Sequence, residues 1–339
     1  MNRKEFLKWS AIAPLAVLAG CHSEQNGLNA PTAPSSTPTA TNTAPTGTPN
    51  PAEVESVKDA IYVADPGNDC IVRFQDFNGN GWTTFGGHVS GFSGPTAVAL
   101  DSSGRIYLTD SFNDRIVRMD DMNGKNLTAF GSTGNGSNQF HYPVSIAIDA
   151  KNRIYVADDQ NNRIVRIDDM NGTNWVAYGT KGVEEGQFQS LKGIALDSKG
   201  RIYIMSRDRI IRIDDMNGTH WTTYGTSGTT KGTFSNPEQI ALDSHDRIYV
   251  CDLSNNRIVR INDMTGDGWV AFGTAGSGTH QFNFPCGVAL DPQNRIYIVD
   301  RGNYRVVRVD DMNGTNWVTL GSQGTGEGKF YNPSYIAYR

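Results

Sequence analysis

Short alternating hydrophobic segments, separated by polar turns, recur along the chain from residue 58 to residue 339. In one clear unit the four segments are Val144–Asp149, Arg153–Ala157, Arg163–Ile167 and Trp175–Tyr178. Their alternation is typical of half-buried β-strands, and the Asn171-Gly172 pair is a hairpin signal between the last two. Each unit is therefore predicted to fold as a four-stranded antiparallel sheet.

Two sequence elements fix the period of this repeat. Arg-Ile-Tyr begins at Arg105, Arg153, Arg201, Arg247 and Arg295. Ile/Val-x-Arg ends at Arg73, Arg118, Arg166, Arg212, Arg260 and Arg308. Residues 58–339 thus divide into six units of about 47 residues, a period typical of propeller blades. The prediction is an all-β, six-bladed β-propeller.

The two ends of the repeat region predict how the ring closes. The first unit begins at its second strand, so it lacks an innermost one. The C-terminal segment Phe330–Ala337 matches the start of the other units. We expect this last segment to complete the first blade, because closure removes open sheet edges.

The amino-acid composition agrees with this fold, and the net charge disfavours one class of partner. The chain contains 37 glycines, 10% aromatic residues and only 19% charged residues, a profile of strands and turns. Its net charge of -5 disfavours nucleic acid as a partner, since such surfaces gain affinity from a basic field.

The N-terminus has the features of an export and anchoring signal. Arg3, Lys4 and Lys8 precede an apolar stretch too short to span a bilayer, and the signal ends in Leu-Ala-Gly before Cys21. This resembles a bacterial lipobox, which implies a signal peptide over 1–20 and a lipid on Cys21 that anchors the protein in a membrane. Residues 21–57 then form a Ser/Thr/Pro-rich tether that is predicted to be disordered.

The export route and the membrane depend on finer resemblances. The start of the chain is similar to a twin-arginine motif, with Lys4 in place of the second arginine, so that route and the general secretory route both stay open. His22, rather than Asp, follows the lipidated cysteine, and in a Gram-negative cell this favours the outer membrane. The expected location is the cell envelope, lipid-anchored at the periplasmic face of the outer membrane or at the cell surface.

The repeat itself resembles a known family. Phe-x-x-Pro-x-x-Ile-Ala-x-Asp, Gly-Arg-Ile-Tyr-Val-Ala-Asp and Asn-x-Arg-Ile-Val-Arg are similar to the NHL repeat, and the matches cover essentially all of 58–339. The resemblance implies the propeller fold. It leaves function open, because the family includes sensors, protein- and RNA-binding modules and lyases.

Residues that occur in every unit are interpreted as structural. The phenylalanines Phe92, Phe140, Phe188, Phe234, Phe282 and Phe330 are assigned to the core. The tryptophans Trp82, Trp175, Trp221, Trp269 and Trp317, with Leu127 in blade two, are expected to pack between blades. Acids ending the second strand, such as Asp158, should pair with arginines beginning the third, such as Arg163, and fix the loop between them.

The acidic turns between the third and fourth strands resemble calcium loops only superficially. Pairs such as Asp168 and Asp169 lack the alternating acids and the closing Glu of such loops, so turn formation is the better interpretation. A structural calcium ion remains possible, and no other cofactor is predicted.

Residues that differ from blade to blade are the candidates for function. In a propeller of this strand order, the loops joining strands two to three and four to one lie on one face. The candidate ligand-binding residues there are Lys192, Arg207, Glu238, Gln239, Tyr335, Tyr331, Tyr304, Phe284, His141 and Tyr142. Blade four departs furthest, with Leu191 in place of Pro and Met205-Ser206 in place of Ala-Asp.

An aromatic-walled face with a few charges favours a binding or scaffolding role, with an envelope protein, peptide or glycan as ligand. The alternative is a metal-dependent lyase or lactonase, which needs convergent ligands at the channel mouth. Among the residues near this mouth the sequence offers Glu238 and His141, which are not adjacent, so neither a metal site nor a catalytic residue is predicted. The protein is expected to be a monomer. Cys70, Cys251 and Cys286 are odd in number, so at least one is free or pairs with another chain.

Overall fold

The computed structural model describes residues 59–87 and 90–339, and this part of the chain forms six four-stranded antiparallel sheets. The chain divides into two units, Met1–Glu55 and Ser56–Arg339. The predicted signal peptide, Cys21 and the tether lie outside the described residues. The prediction of an all-β, six-bladed propeller is confirmed. None of the helices described is long and apolar enough to cross a membrane.

We number the blades in chain order and their strands from the innermost outwards. Blade one contains Ile336–Tyr338, Ile61–Asp65, Cys70–Phe74 and Thr83–Gly86. Blade two contains Pro95–Leu100, Ile106–Asp110, Arg115–Met119 and Thr128–Phe130. Blade three contains Pro143–Ile148, Ile154–Asp158, Arg163–Ile167 and Val176–Tyr178. Blade four contains Leu191–Leu196, Ile202–Ser206, Arg209–Ile213 and Thr222–Tyr224. Blade five contains Ile240–Leu242, Ile248–Asp252, Arg257–Ile261 and Val270–Phe272. Blade six contains Pro285–Leu290, Ile296–Asp300, Arg305–Val309 and Val318–Leu320.

Short elements connect the blades and the strands. The single-turn 3-10 helices are Ser111–Asn113, Asp159–Asn161, Leu253–Asn255 and Arg301–Asn303. Two-stranded parallel pairs join Thr180–Lys181 to Gln187–Phe188, Thr226–Ser227 to Thr233–Phe234, and Thr274–Ala275 to Gln281–Phe282. Blade four has no 3-10 helix, because only two residues separate its second and third strands.

The ring closes as the sequence predicts. Ile336–Tyr338 pairs antiparallel with Ile61–Asp65, so that Val63 lies opposite Ile336 and Ile61 opposite Tyr338. The C-terminus thereby supplies the innermost strand of blade one, and Asp59 N–H and Ala60 N–H both donate to the carbonyl oxygen of Arg339. Closure leaves the innermost strand of each blade paired with its own second strand.

The repeated aromatic residues form the expected core. The repeated phenylalanines are all buried, Phe92 at 5% exposure and the other five at 0%. The ring centroid of Trp175 lies 5.4 Å from that of Phe140 and 6.2 Å from that of Phe130 in blade two. Trp175 therefore packs across the seam between blades. Leu127 takes this place in blade two and is 43% exposed, because its smaller side chain covers less of the seam.

The predicted acid–arginine pairs are present in four blades. Asp158 and Arg163 meet at 2.8 Å, and Arg163 also lies over the ring of Trp175. Equivalent pairs join Asp110 to Arg115, Asp252 to Arg257, and Asp300 to Arg305 at 2.7–2.8 Å. Each pair closes the loop between the second and third strands.

Five strand boundaries of blade three differ from the sequence prediction by one residue. Three of them are the two ends of the innermost strand, Pro143–Ile148, and the end of the second strand at Asp158. The second strand of blade three begins at Ile154 and not at Arg153, because Arg153 turns back to pair with Asp149. The outermost strand begins at Val176, because Trp175 packs across the seam before the backbone pairing starts. The acidic segments between the third and fourth strands form turns, as interpreted. The carboxylate of Asp169 accepts hydrogen bonds from the backbone N–H groups of Asn171 and Thr173.

Candidate functional site

The loops between second and third strands join the segments that enter the innermost strands, and together they form one face, the loop face. In blade three Gln160 N–H donates to the carbonyl of His141, and His141 N–H donates to the carboxylate of Asp158 at 2.7 Å. The same contacts recur in blades five and six through Ser254 and Gly302. The repeated hydrogen bonds bring the two variable segments of each blade together.

The loop face places bulky side chains on left-handed backbone. Tyr142 and Phe284 have φ values of 57° and 54° at a position where blades two and five have Gly94 and Asn236. Tyr304, with φ of 54°, occupies a similar left-handed position at the end of its 3-10 helix. Such backbone is costly for large residues and tends to occur at functional sites. These aromatic residues therefore need a reason beyond the construction of the turn.

A charged pair occupies the centre of the loop face. Lys192 Nζ of blade four lies 3.4 Å from a carboxylate oxygen of Glu238 in blade five. The hydroxyl of Tyr335, from blade one, lies 3.5 Å from the other carboxylate oxygen. Glu238 and Tyr335 are only 9% and 4% exposed. Residues from three blades thus meet at the mouth of the central channel.

Asp159 and Arg301 complete this group from blades three and six, which are opposite in a six-fold ring. Burial raises the pKa of Asp159, while the charge of Lys192 opposes that rise. Burial also raises the pKa of Tyr142, and the charges of Asp159, Glu238 and Arg301 act on the same phenol. Because blades on opposite sides influence one side chain, these groups lie around the axis. We call Asp159, Lys192, Glu238, Arg301 and Tyr335 the mouth cluster.

Arg301 is held differently from the structural arginines. Its Nε donates to the carbonyl of Pro333 in the segment that enters blade one, at 3.3 Å. Burial disfavours its charge, but the thiol of Cys286 and the carboxylate of Glu238 outweigh burial, so the pKa of Arg301 is raised. The guanidinium is therefore charged throughout the physiological pH range.

The innermost strands approach each other closely beneath the mouth cluster. A side chain at Gly193 would lie 2.8 Å from the backbone nitrogen of Ile240, and one at Gly287 would lie 2.5 Å from the carbonyl of Ser334. Only glycine permits this approach. Gln239 ties the strands together, since its amide oxygen accepts the N–H of Val288 and its amide nitrogen donates to Ile336 O.

The three cysteines of the described residues are free thiols and are buried. Burial raises the pKa of Cys286 to about 12 and also raises the pKa of Cys251 and Cys70. Cys286 Sγ lies 3.4 Å from the carbonyl oxygen of Ser334. No disulfide joins Cys251 or Cys70 to Cys286 in this structure.

The structure divides the sequence-predicted site residues into three groups. Lys192, Glu238 and Tyr335 belong to the mouth cluster, with Tyr142 beside it. Gln239 lies beneath the cluster and uses its amide for backbone hydrogen bonds. The others lie in the surrounding loops, and they are His141, Arg207, Phe284, Tyr304 and Tyr331. Tyr331 is 47% exposed, and His141 is also exposed.

Sequence reasoning missed Asp159 and Arg301. The residue after each second strand differs in every blade except for two arginines, and the series is Pro66, Ser111, Asp159, Arg207, Leu253 and Arg301. That variation was the available signal. Within 59–87 and 90–339, no three His, Cys, Asp or Glu side chains are grouped so that they could hold a metal ion.

Comparison with known proteins supports the fold and leaves the activity open. A model described as a 6-bladed beta-propeller matches residues 96–174, and the NHL repeat model matches residues 234–261 and 282–309. No curated protein matches the chain.

Several solved structures are similar at low identity. Virginiamycin B lyase from Staphylococcus aureus is 18% identical over 71% of this chain and 73% of that one, with a TM-score of 0.50. A chain of the nidogen/laminin complex is 17% identical over 82% of this chain and 97% of that one, with a TM-score of 0.61. A protein of unknown function from Bacteroides caccae is 17% identical over 83% and 98%, with a TM-score of 0.59. The repeat matches, together with the closed ring of six four-stranded sheets, show a six-bladed β-propeller that contains NHL repeats.

Proposed function

We propose that this protein is an envelope-anchored binding module that recognises a protein, peptide or glycan with its loop face. The observation that carries the proposal is the mouth cluster. Five blades each contribute a different polar or charged side chain to one place, whereas the rest of each blade repeats the same structural residues. A repeated scaffold whose loop face varies from blade to blade is suited to specific recognition.

The surrounding loops supply apolar contact area. Tyr331, Phe284 and Tyr304 lie on blades one and six, next to the side of the mouth from which Arg301 enters. Rigid aromatic side chains give large contact area at a small cost in conformational entropy. Charged groups at the centre with aromatic residues around them can orient a ligand and bury part of it.

Envelope fractions from the producing cell provide the test of binding. Purified full chain is used as bait and compared with a loop-face variant, Lys192→Ala with Tyr331→Ala. The control changes the opposite face, which we call the turn face: Lys151→Ala with Lys199→Ala alters two turns between first and second strands. We expect partners that the wild type and the control retain and the loop-face variant loses. Equal capture by all three proteins would show that the loop face is not the binding surface.

Metal content tests the enzymatic alternative on the same preparation. Elemental mass spectrometry of protein purified without chelators is expected to find no stoichiometric transition metal. Calcium alone would fit a structural ion in the propeller. A stoichiometric transition metal would instead favour a metal-dependent lyase or lactonase, and activity assays would then replace the capture experiment.

The anchoring part of the proposal rests on the sequence of residues 1–21. A lipid on Cys21 would hold the propeller at the membrane, with residues 22–57 as spacer. Cell fractionation checks this: Cys21→Ser should move the protein from the membrane to the soluble fraction. A variant that stays with the membrane would mean that another feature anchors it.

A further inference from the structure

We propose, on the basis of the binding function above, that the ligand is an acidic peptide and that Arg301 binds one of its carboxylate groups. Arg301 reaches the mouth from blade six, and its Nε is held by the carbonyl of Pro333 at 3.3 Å. This backbone contact fixes one side of the guanidinium. The thiol of Cys286 and the mouth-cluster residues Glu238 and Tyr335 are its electrostatic neighbours.

The guanidinium of Arg301 has unused hydrogen-bonding capacity. Four residues further on, Arg305 pairs with Asp300 at 2.8 Å and donates from both terminal nitrogens to the carbonyls of Ser277, Gly278 and Gln281. Arg301 forms no ion pair with any carboxylate of the described residues, and its terminal nitrogens donate to no oxygen atom there. The guanidinium also shares a side-chain hydrogen bond with the thiol of Cys286, and its remaining N–H donors are suited to binding a carboxylate.

The charges of the mouth cluster leave Arg301 as the free cation. Lys192 and Glu238 are paired with each other at 3.4 Å, so each largely neutralises the other. Asp159 lies on blade three, opposite blade six, and its side chain accepts a hydrogen bond from Gln160. Within the mouth cluster, an incoming anion therefore finds at Arg301 a cation that forms no ion pair with the described residues.

The same cluster favours a peptide over an acidic glycan. Its two acids, Asp159 and Glu238, would repel a chain that carries many negative charges. A peptide, in contrast, brings backbone N–H groups that these carboxylates can accept, together with a single carboxylate for Arg301. Tyr331 and Phe284 lie in the segments entering the blades on either side of Arg301, so they can contact apolar side chains next to that carboxylate.

The carboxylate can come from a peptide C-terminus or from an Asp or Glu side chain, and defined peptide pools separate the two. Degenerate peptides, attached by their N-termini, are prepared with a free C-terminus, with a C-terminal amide, and with the amide plus Asn and Gln in place of Asp and Glu. Uronic-acid oligosaccharides form a fourth set. Binding of the full chain is compared with that of Arg301→Gln, Arg301→Lys and the turn-face control Lys199→Gln.

We expect wild type and Lys199→Gln to bind a carboxylate-containing pool equally. Loss of one charge-assisted hydrogen-bonded pair should weaken peptide binding by Arg301→Gln about 10- to 100-fold. The affinity of Arg301→Lys should lie between those of wild type and Arg301→Gln, because lysine keeps the charge but cannot bind a carboxylate with two parallel N–H groups. Binding of only the free-acid pool identifies the terminal carboxylate, and equal binding of the amidated pool identifies a side chain.

Three patterns of binding would overturn the inference. They are equal binding by Arg301→Gln and wild type, preference for the pool without carboxylates, and Arg301-dependent binding of uronic-acid oligosaccharides alone. Absence of binding to all four sets also refutes it, and the envelope capture experiment then decides separately whether the loop face binds any partner. Matching melting temperatures of the four proteins show that the variants fold.

Discussion

Asp215 shows how single residues in the acidic turns contribute to the fold. Its carboxylate accepts the N–H of Asn217 at 2.8 Å and the hydroxyl of Thr219 at 2.9 Å. The hydrogen bond from Asn217 is the main cause of the lowered pKa of Asp215. The acid is therefore explained by the turn that it closes, between the third and outermost strands of blade four, and it needs no calcium ion.

Asp215→Ala is expected to reduce the free energy of unfolding by about 1 kcal/mol at pH 7, since the exposed turn loses hydrogen bonds for which water competes. An acid with a lowered pKa stabilises the folded state above its unfolded pKa of about 3.9, and this contribution is lost as pH falls through the folded value. Denaturant unfolding at pH 7, 5 and 3 should show the difference between wild type and variant shrinking. Asp215→Asn, which lacks the charge, is the control. A difference that stays constant to pH 3 would contradict the assignment.

In the loops between the second and third strands, repeated and variable residues lie side by side. Asp158 is fully buried and accepts hydrogen bonds from His141 N–H, Asn161 and Arg163. Blade four achieves the same closure differently, since the hydroxyl of Ser206 both accepts from Gln189 N–H and donates to Gln189 O. The scaffold thus tolerates a change of chemistry when the loop length changes with it.

Asp158→Ala tests the importance of this closure. The substitution leaves three donors without their acceptor, including a charged guanidinium, so we expect a loss of about 3–5 kcal/mol in the free energy of unfolding. Arg209→Ala in blade four is the matched control. Arg209 has no carboxylate partner among the described residues and donates to Val183 O, so its loss should cost about 1 kcal/mol. Equal losses in the two variants would show that the acid–arginine pair does not stabilise its loop.

The sequence was sufficient to predict the elements, whereas of the mouth cluster it indicated Lys192, Glu238 and Tyr335 but not Asp159 or Arg301. Six copies of one pattern identify strands, turns and core, because each copy tests the others. The mouth cluster is different, since Glu238 and Tyr335 meet although 97 positions separate them. Arg301 follows a strand-ending acid like any other loop residue, and its position beside Pro333 depends on how blade one closes against blade six. Such distances follow from the ring geometry and not from local spacing.

At the scale of the whole molecule, one short segment joins the two ends of the ring. Phe330 and Ile336 are buried, and Tyr335 from the same segment reaches the mouth cluster. Asp65 of blade one accepts the backbone N–H groups of Tyr331 and Asn332. Closure and the candidate site therefore depend on the same ten C-terminal residues.

Removal of residues 330–339 should consequently abolish cooperative folding. The truncated chain loses a core phenylalanine and an innermost strand, and it exposes the edge of the second strand of blade one. The buried side chains of Phe330, Tyr335 and Ile336 contribute about 2–5 kcal/mol each, so their total is comparable to the usual stability of a whole domain. Near-ultraviolet circular dichroism during thermal unfolding measures the effect. Tyr338→Phe, which loses only the hydroxyl contact with Asp59, should unfold nearly as the wild type does.

A synthetic peptide of residues 330–339 provides the complementary experiment. Because the missing strand pairs with Ile61–Asp65 through backbone hydrogen bonds and inserts Phe330 and Ile336 into the core, the added peptide should restore a cooperative transition at a concentration-dependent midpoint. A peptide with Asp in place of Ile336 should fail, since it would bury an unpaired charge. A truncated chain that unfolds cooperatively at the wild-type temperature without peptide would show that five complete blades suffice. The C-terminal strand would then serve the binding site and not the fold.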